Sequence, residues 1–161
     1  MYNNILVATD LSPRACNALN HAVKLAHLFN SKITLINVHE EFMNKEELVM
    51  SRVSVDNIQE SYKTTCIQAK EEIKHLMHNL DGGDVDIDIV LREGKACEEI
   101  LELSETIKPD LIIIGSNGRD SLSEYIMGTT TTNVVDKSLY PVLVVPSINN
   151  DLLLEKIKNK N

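Results

Sequence analysis

Five short runs rich in branched, apolar residues recur along the chain: Ile5-Leu6-Val7-Ala8, Ile33-Thr34-Leu35-Ile36-Asn37-Val38, Val85-Asp86-Ile87-Asp88-Ile89-Val90-Leu91, Leu111-Ile112-Ile113-Ile114 and Pro141-Val142-Leu143-Val144-Val145. Between them lie segments whose apolar residues repeat at helical spacing. A strand that is apolar throughout must be covered on both faces. Strand–helix alternation therefore predicts an α/β fold: a single-domain, open parallel sheet with helices on both faces and right-handed crossovers.

The helical segments carry their own punctuation. Ser12 reads as an N-cap with Pro13 at the first helical position, ahead of Ala15, Ala18, Leu19, Ala22, Val23 and Ala26. His39 to Asp56 has no clear period and reads as a long loop. Ile58, Tyr62, Cys66, Ala69, Ile73, Leu76, Met77 and Leu80 mark a long amphipathic helix that Asp81-Gly82-Gly83 ends. Gly94 precedes a helix carrying Ala96, Ile100, Leu103 and Ile107, stopped by Pro109. A last helix runs from about Thr130 to Lys137.

Composition removes several classes of function. The 161 residues carry 16 basic and 24 acidic side chains, a net charge of -8, which a nucleic-acid backbone would repel. With no Trp, two Phe and four Tyr, there is no aromatic platform for single-stranded nucleic acid. No apolar run reaches the length of a membrane span, and the first residues lack a signal-peptide pattern. A cytoplasmic protein without a membrane partner is expected. Cys16, Cys66 and Cys97 form no Cys-x-x-Cys or zinc spacing and read as small helix residues in a reducing compartment.

In open parallel sheets, ligands sit beyond the carboxyl ends of the strands where the strand order reverses. The residues to inspect are thus Thr9-Asp10, His39-Glu40, Arg92-Glu93-Gly94, Gly115 to Gly118, and Ser147. The richest stretch is Gly115-Ser116-Asn117-Gly118-Arg119, followed after eight residues by Gly128-Thr129-Thr130. Glycines let backbone N–H groups approach an anion and can take positive φ. A helix start adds unpaired N–H groups and a positive dipole end, Thr129 a hydroxyl and Arg119 a fixed charge. Together these make a phosphate cradle; the plainer reading is that Gly115 and Gly118 shape a turn and Gly128 starts a helix. The stretch is neither a Walker A loop nor Gly-x-Gly-x-x-Gly.

Other candidates are weaker. Asp10 either binds a ligand at the switch point or caps the next turn. Asp84, Asp86 and Asp88 mimic the start of a calcium loop, but Ile89 and Lys95 occupy its sixth and twelfth positions; they read as the polar face of an edge strand. His39 either borders a nucleotide or is a loop histidine, and His75 and His78 share a helix face without carboxylates to complete a site. No Gly-x-Ser-x-Gly elbow or nucleophile–base pair is visible.

Gly115, Gly118, Gly128 and Thr129 fit the pattern Gly-x2-Gly-x9-Gly-Ser/Thr, which resembles the ATP-binding signature of the universal stress protein family. The flanks Ile-Ile-Ile-Gly-Ser and Asn133-Val134-Val135, the opening Ile5 to Asp10 with Ser12, and Arg92-Glu93-Gly94 with Glu98-Glu99-Ile100 are similar too. The resemblance spans residues 2–146. It implies a five-stranded sheet of order 3-2-1-4-5 and a domain over 1–147; the extension over 148–161 runs past the family's usual end and reads as a short helix with Leu152, Leu153, Leu154 and Ile157. It implies ATP, with Mg2+, as ligand. Ala8, Thr9 and Asp10 would line the site, with Asp10 by the ribose or adenine and the Val38 backbone beside the adenine. Gly115, Ser116, Asn117, Gly118, Arg119, Gly128, Thr129 and Thr130 would hold the phosphates. Asn117 departs from the His or Arg of many relatives. The implied assembly is a homodimer through Val142 to Val145. The implied function is a nucleotide-dependent switch in a stress response rather than an enzyme; the alternatives are a slow ATPase or nucleotide hydrolase, and an adaptor dimer without nucleotide.

Overall fold

In the computed structural model, the described residues are 2–39, 55–80, 84–117 and 127–146, with side chains described for all of these but 13, 14 and 55–62. Gly118, Arg119, Glu40, Ser147, Asp81-Gly82-Gly83, most of the expected loop after the second strand and the extension 148–161 lie outside them. In chain order the elements are β1 (Asn4–Thr9), α1 (Pro13–Phe29), β2 (Lys32–His39), α2 (Val55–Asn79), β3 (Ile87–Glu93), α3 (Ala96–Ile107), β4 (Leu111–Gly115), α4 (Thr129–Lys137) and β5 (Val142–Val145).

The five strands form one sheet in the order β3-β2-β1-β4-β5, and every pairing is parallel. Burial follows the two-residue period of a strand. Ile5, Val7, Ile33, Leu35, Leu111, Ile113 and Val145 face Ala18, Leu19, Ala22, Val23 and Ala26 of α1 and Ile73 and Met77 of α2. Leu6, Ala8, Ile36, Ile112 and Ile114 face Ile100 and Leu103 of α3 and Val134 of α4. Each such fully buried branched side chain contributes about 1.5–3 kcal/mol, which is why the central strands tolerate so few polar residues.

The caps explain where α1 begins and ends. Ser12 has extended backbone, and its hydroxyl accepts from the Ala15 N–H at 3.2 Å. Asn30 closes the helix in the left-handed region, its N–H donating to the Ala26 carbonyl. After β3, Gly94 takes φ of 149°, and a Cβ there would lie 2.7 Å from Glu99 Oε1. This turn needs glycine.

Several boundaries differ from those read in the sequence. The third strand starts at Ile87, not Val85, and runs on through Arg92 and Glu93, because its register is set by β2: Ile33 pairs with Ile87 and His39 with Glu93. His39 is therefore the last residue of β2 rather than the first of a loop, and Val55 and Asp56 already belong to α2. As expected, β3 is an edge strand. Asp88 is on it, and Lys32 reaches Asp88 at 2.7 Å and Asp86 at 4.0 Å.

Candidate functional site

The strand order reverses between β1 and β4. The chain leaves β1 for α1 on one face and leaves β4 toward α4 on the other. Ala8 pairs with Ile114, so Thr9-Asp10 and Gly115-Ser116 emerge side by side. Open parallel sheets take ligands at such a switch point.

On the β1 side, side chains fix the backbone. Thr9 Oγ1 accepts from the Leu11 N–H at 3.1 Å, and Asp10 Oδ1 accepts from the Ser12 N–H at 3.0 Å. Between them Leu11 has φ of 61°, a strained conformation for a branched side chain. Asp10 thus caps the turn and still sits at the switch point, half-buried; the two readings of it from the sequence are compatible. Asn37 Nδ2 donates to the Thr9 carbonyl at 2.9 Å. Val38, one residue on, packs beside the cluster under α3 and α4.

On the β4 side, Gly115 is the buried last residue of the strand, with an ordinary φ. Its carbonyl accepts from Thr131 Oγ1 at 2.8 Å, a buried bond. The Ser116 N–H donates to the Val145 carbonyl and the Ser116 carbonyl accepts from the Gly128 N–H, both at 2.8 Å. Ser116 Oγ donates to Asn117 Oδ1, and Asn117 is 2% exposed. Ser116 and Gly128, which flank the segment 118–126, are therefore pinned together. The Ser116 and Gly128 amides are spent inside the protein, so neither N–H group is left for a ligand.

What remains open is the start of α4. Gly128, the N-cap residue, has φ of -64° and ψ of 154° and supplies no capping side chain. The first turn of any helix leaves its N–H groups without carbonyl partners, and the dipole makes that end positive. Thr129 is exposed and Thr130 half-buried. Thr132 Oγ1 turns back to the Gly128 carbonyl at 3.1 Å.

Sequence reading missed two residues here. Thr131 was hidden in a run of four threonines, and Asn37 in an apolar strand where its polarity was the only signal. Cys16, Cys66 and Cys97 lie in α1, α2 and α3 as expected and are free thiols. Burial, reinforced by Glu72 and Asp10, pushes the Cys16 thiol up, and burial does the same to Cys97. Both thiols are thereby made poorer nucleophiles. Among the described residues, no three His, Cys, Asp or Glu side chains gather to hold a metal ion, and no helix is long and apolar enough to cross a membrane.

Comparison with known proteins agrees with this fold. Residues 1–146 match the profile described as "Universal stress protein family". The chain is 30% identical over 159 residues to universal stress protein MJ0577 of Methanocaldococcus jannaschii, covering 93% of this chain and 98% of the relative. The solved structure of that protein superimposes with a TM-score of 0.74 at 31% identity, over 92% of this chain and 99% of the other. Universal stress protein UspA from Lactobacillus plantarum gives a TM-score of 0.75 at 23% identity, over 89% and 97% of the two chains. A universal stress protein solved in complex with cAMP gives 0.65 at 20% identity, over 91% and 98%.

Proposed function

The chain belongs to the universal stress protein family, and from that premise we propose that it binds an adenine nucleotide, ATP, at the carboxyl edge of its sheet and acts as a nucleotide-dependent switch. The observation that carries this reading is the uncapped start of α4 beside the β1–β4 switch point. Backbone amides of Thr129 and Thr130 would meet phosphate charge there, with Gly128 and the Ser116 carbonyl holding the helix start in place. Asp10 would accept from the ribose. Ala8, Thr9 and the Val38 backbone would border ribose and adenine. Gly115, Ser116 and Asn117 would form the floor under the phosphates, and Gly118 and Arg119 would complete the cradle. The cAMP complex of a structural neighbour supports an adenine nucleotide as the ligand class.

The donor set suits a nucleotide better than a resident metal. Asp10 is the one carboxylate of the proposed contacts, so Mg2+ would arrive on the phosphates, as it does when one or two carboxylates and substrate oxygens share it. Bound nucleotide would bias the segment between Ser116 and Gly128, and Ser116 also holds the end of β5 through Val145. A change there reaches the edge strand, where self-association through Val142 to Val145 would read it out. The test is to denature freshly purified protein and identify nucleotide in the supernatant, then measure ATP affinity of the emptied protein by calorimetry. Released adenine nucleotide, or saturable ATP binding, is expected; neither being found would refute the proposal. Steady Mg2+-dependent ADP release, lost in Arg119→Ala, would instead assign slow hydrolysis.

A further inference from the structure

Asn37 is 2% exposed in the middle of the sheet, paired in register with Thr9 on one side and Leu91 on the other. Ile33, Leu35 and Ile36 of the same strand are 0–1% exposed. Its Nδ2 donates to the Thr9 carbonyl at 2.9 Å, and its Oδ1 is buried with no hydrogen-bond partner. A buried acceptor left without a donor costs more than one neutral hydrogen bond returns. A leucine of similar shape would avoid that cost and extend the apolar core. The fold alone therefore does not account for an asparagine here.

What the bond holds does account for it. The Thr9 carbonyl belongs to the peptide joining Thr9 to Asp10. From that peptide the turn proceeds through Leu11 N–H to Thr9 Oγ1, the left-handed Leu11, Ser12 N–H to Asp10 Oδ1, and Ser12 Oγ capping α1. Each contact fixes the dihedrals next to the carboxylate. Leu11 sits in a conformation that costs energy, so the turn needs its anchors.

We infer that Asn37 is a positioning residue: it clamps the Thr9–Asp10 peptide and so aims the Asp10 carboxylate at the ribose of the bound nucleotide. This rests on the nucleotide reading above. The test compares ATP with 2′,3′-dideoxy-ATP, which lacks the ribose hydroxyls, by calorimetry on the full chain. The variants are Asn37→Leu, Asn37→Val, Asp10→Ala and the double variant Asn37→Leu/Asp10→Ala, with thermal midpoints measured alongside. Loss of a hydrogen bond to a charged group predicts that Asn37→Leu weakens ATP about tenfold. Its affinity for the dideoxy analogue stays unchanged, and it adds no loss in the Asp10→Ala background. Thermal midpoints stay level, because removing the stranded Oδ1 offsets the donor lost to the Thr9 carbonyl. Unchanged ATP affinity, an equal loss for both nucleotides, a loss that persists without Asp10, or a fallen midpoint in both Asn37 variants would overturn the inference alone. A wild-type chain that binds no ATP would overturn the nucleotide reading and this inference with it.

Discussion

Thr131 Oγ1 donates to the Gly115 carbonyl at 2.8 Å with Thr131 only 3% exposed, so the first turn of α4 is bolted to the last residue of β4. Replacing Thr131 with Val keeps the shape and removes the bond. Leaving the Gly115 carbonyl short of a partner should cost about 1–3 kcal/mol, measured by urea unfolding. ATP affinity should fall with it, since the helix start loses its anchor; Thr131→Ser should retain most of both.

The turn after β3 tests a different effect. In Gly94→Ala the new Cβ meets Glu99 Oε1 at 2.7 Å and the backbone must hold φ of 149°. Glu99 Oε1 ends a side chain that can move, although Arg92 Nη1 lies 3.5 Å from its other oxygen. The backbone term should therefore dominate, at about 1–2 kcal/mol. Adding Glu99→Ala should rescue little of the lost stability, as chemical denaturation of both variants would reveal.

Acid should loosen the amino-terminal strand. Asp110 Oδ2 accepts from the N–H groups of Asn4 at 2.9 Å and Asn3 at 2.7 Å, and these bonds hold its carboxyl below its ordinary value. A carboxylate lowered in the folded state stabilises above its unfolded pKa and loses that contribution as pH falls through the folded one. Stability of the wild type should thus drop more steeply below about pH 4 than that of Asp110→Asn, whose side chain does not titrate. Parallel acid titrations followed by circular dichroism check this.

β5 presents an edge, and Leu143 on it is 37% exposed, with Leu139 at 81% and Val135 at 41% on the adjoining segment. If copies of the chain pair through this edge, a charge there should separate them, since charged side chains guard natural edges. Leu143→Lys should convert a dimer to a monomer in light-scattering chromatography while leaving far-ultraviolet dichroism intact.

The fold was legible because the central strands are nearly unbroken branched runs alternating with helical segments, a pattern that favours a covered parallel sheet. Boundaries were less legible where composition alternates: Val85-Asp86-Ile87-Asp88-Ile89 has no local mark for its first paired residue, and only the register against Ile33 supplies it. The switch-point residues could be located from strand ends, but their roles could not. Whether an amide is spent is a tertiary fact: the Gly128 N–H is taken by the Ser116 carbonyl and the Ser116 N–H by the Val145 carbonyl. Asn37 escaped notice because a polar residue inside an apolar run declares its burial only when the neighbouring strands are in place.

The most direct measurement is an ATP titration of the isotopically labelled chain followed by amide resonances. The proposed site predicts that the largest changes fall on Thr129, Thr130, Asp10 and the Gly115–Asn117 segment, at opposite ends of the sequence but one edge of the sheet. Changes confined to the opposite edge, around Lys32 and Asp86, or no saturable change at all, would contradict it.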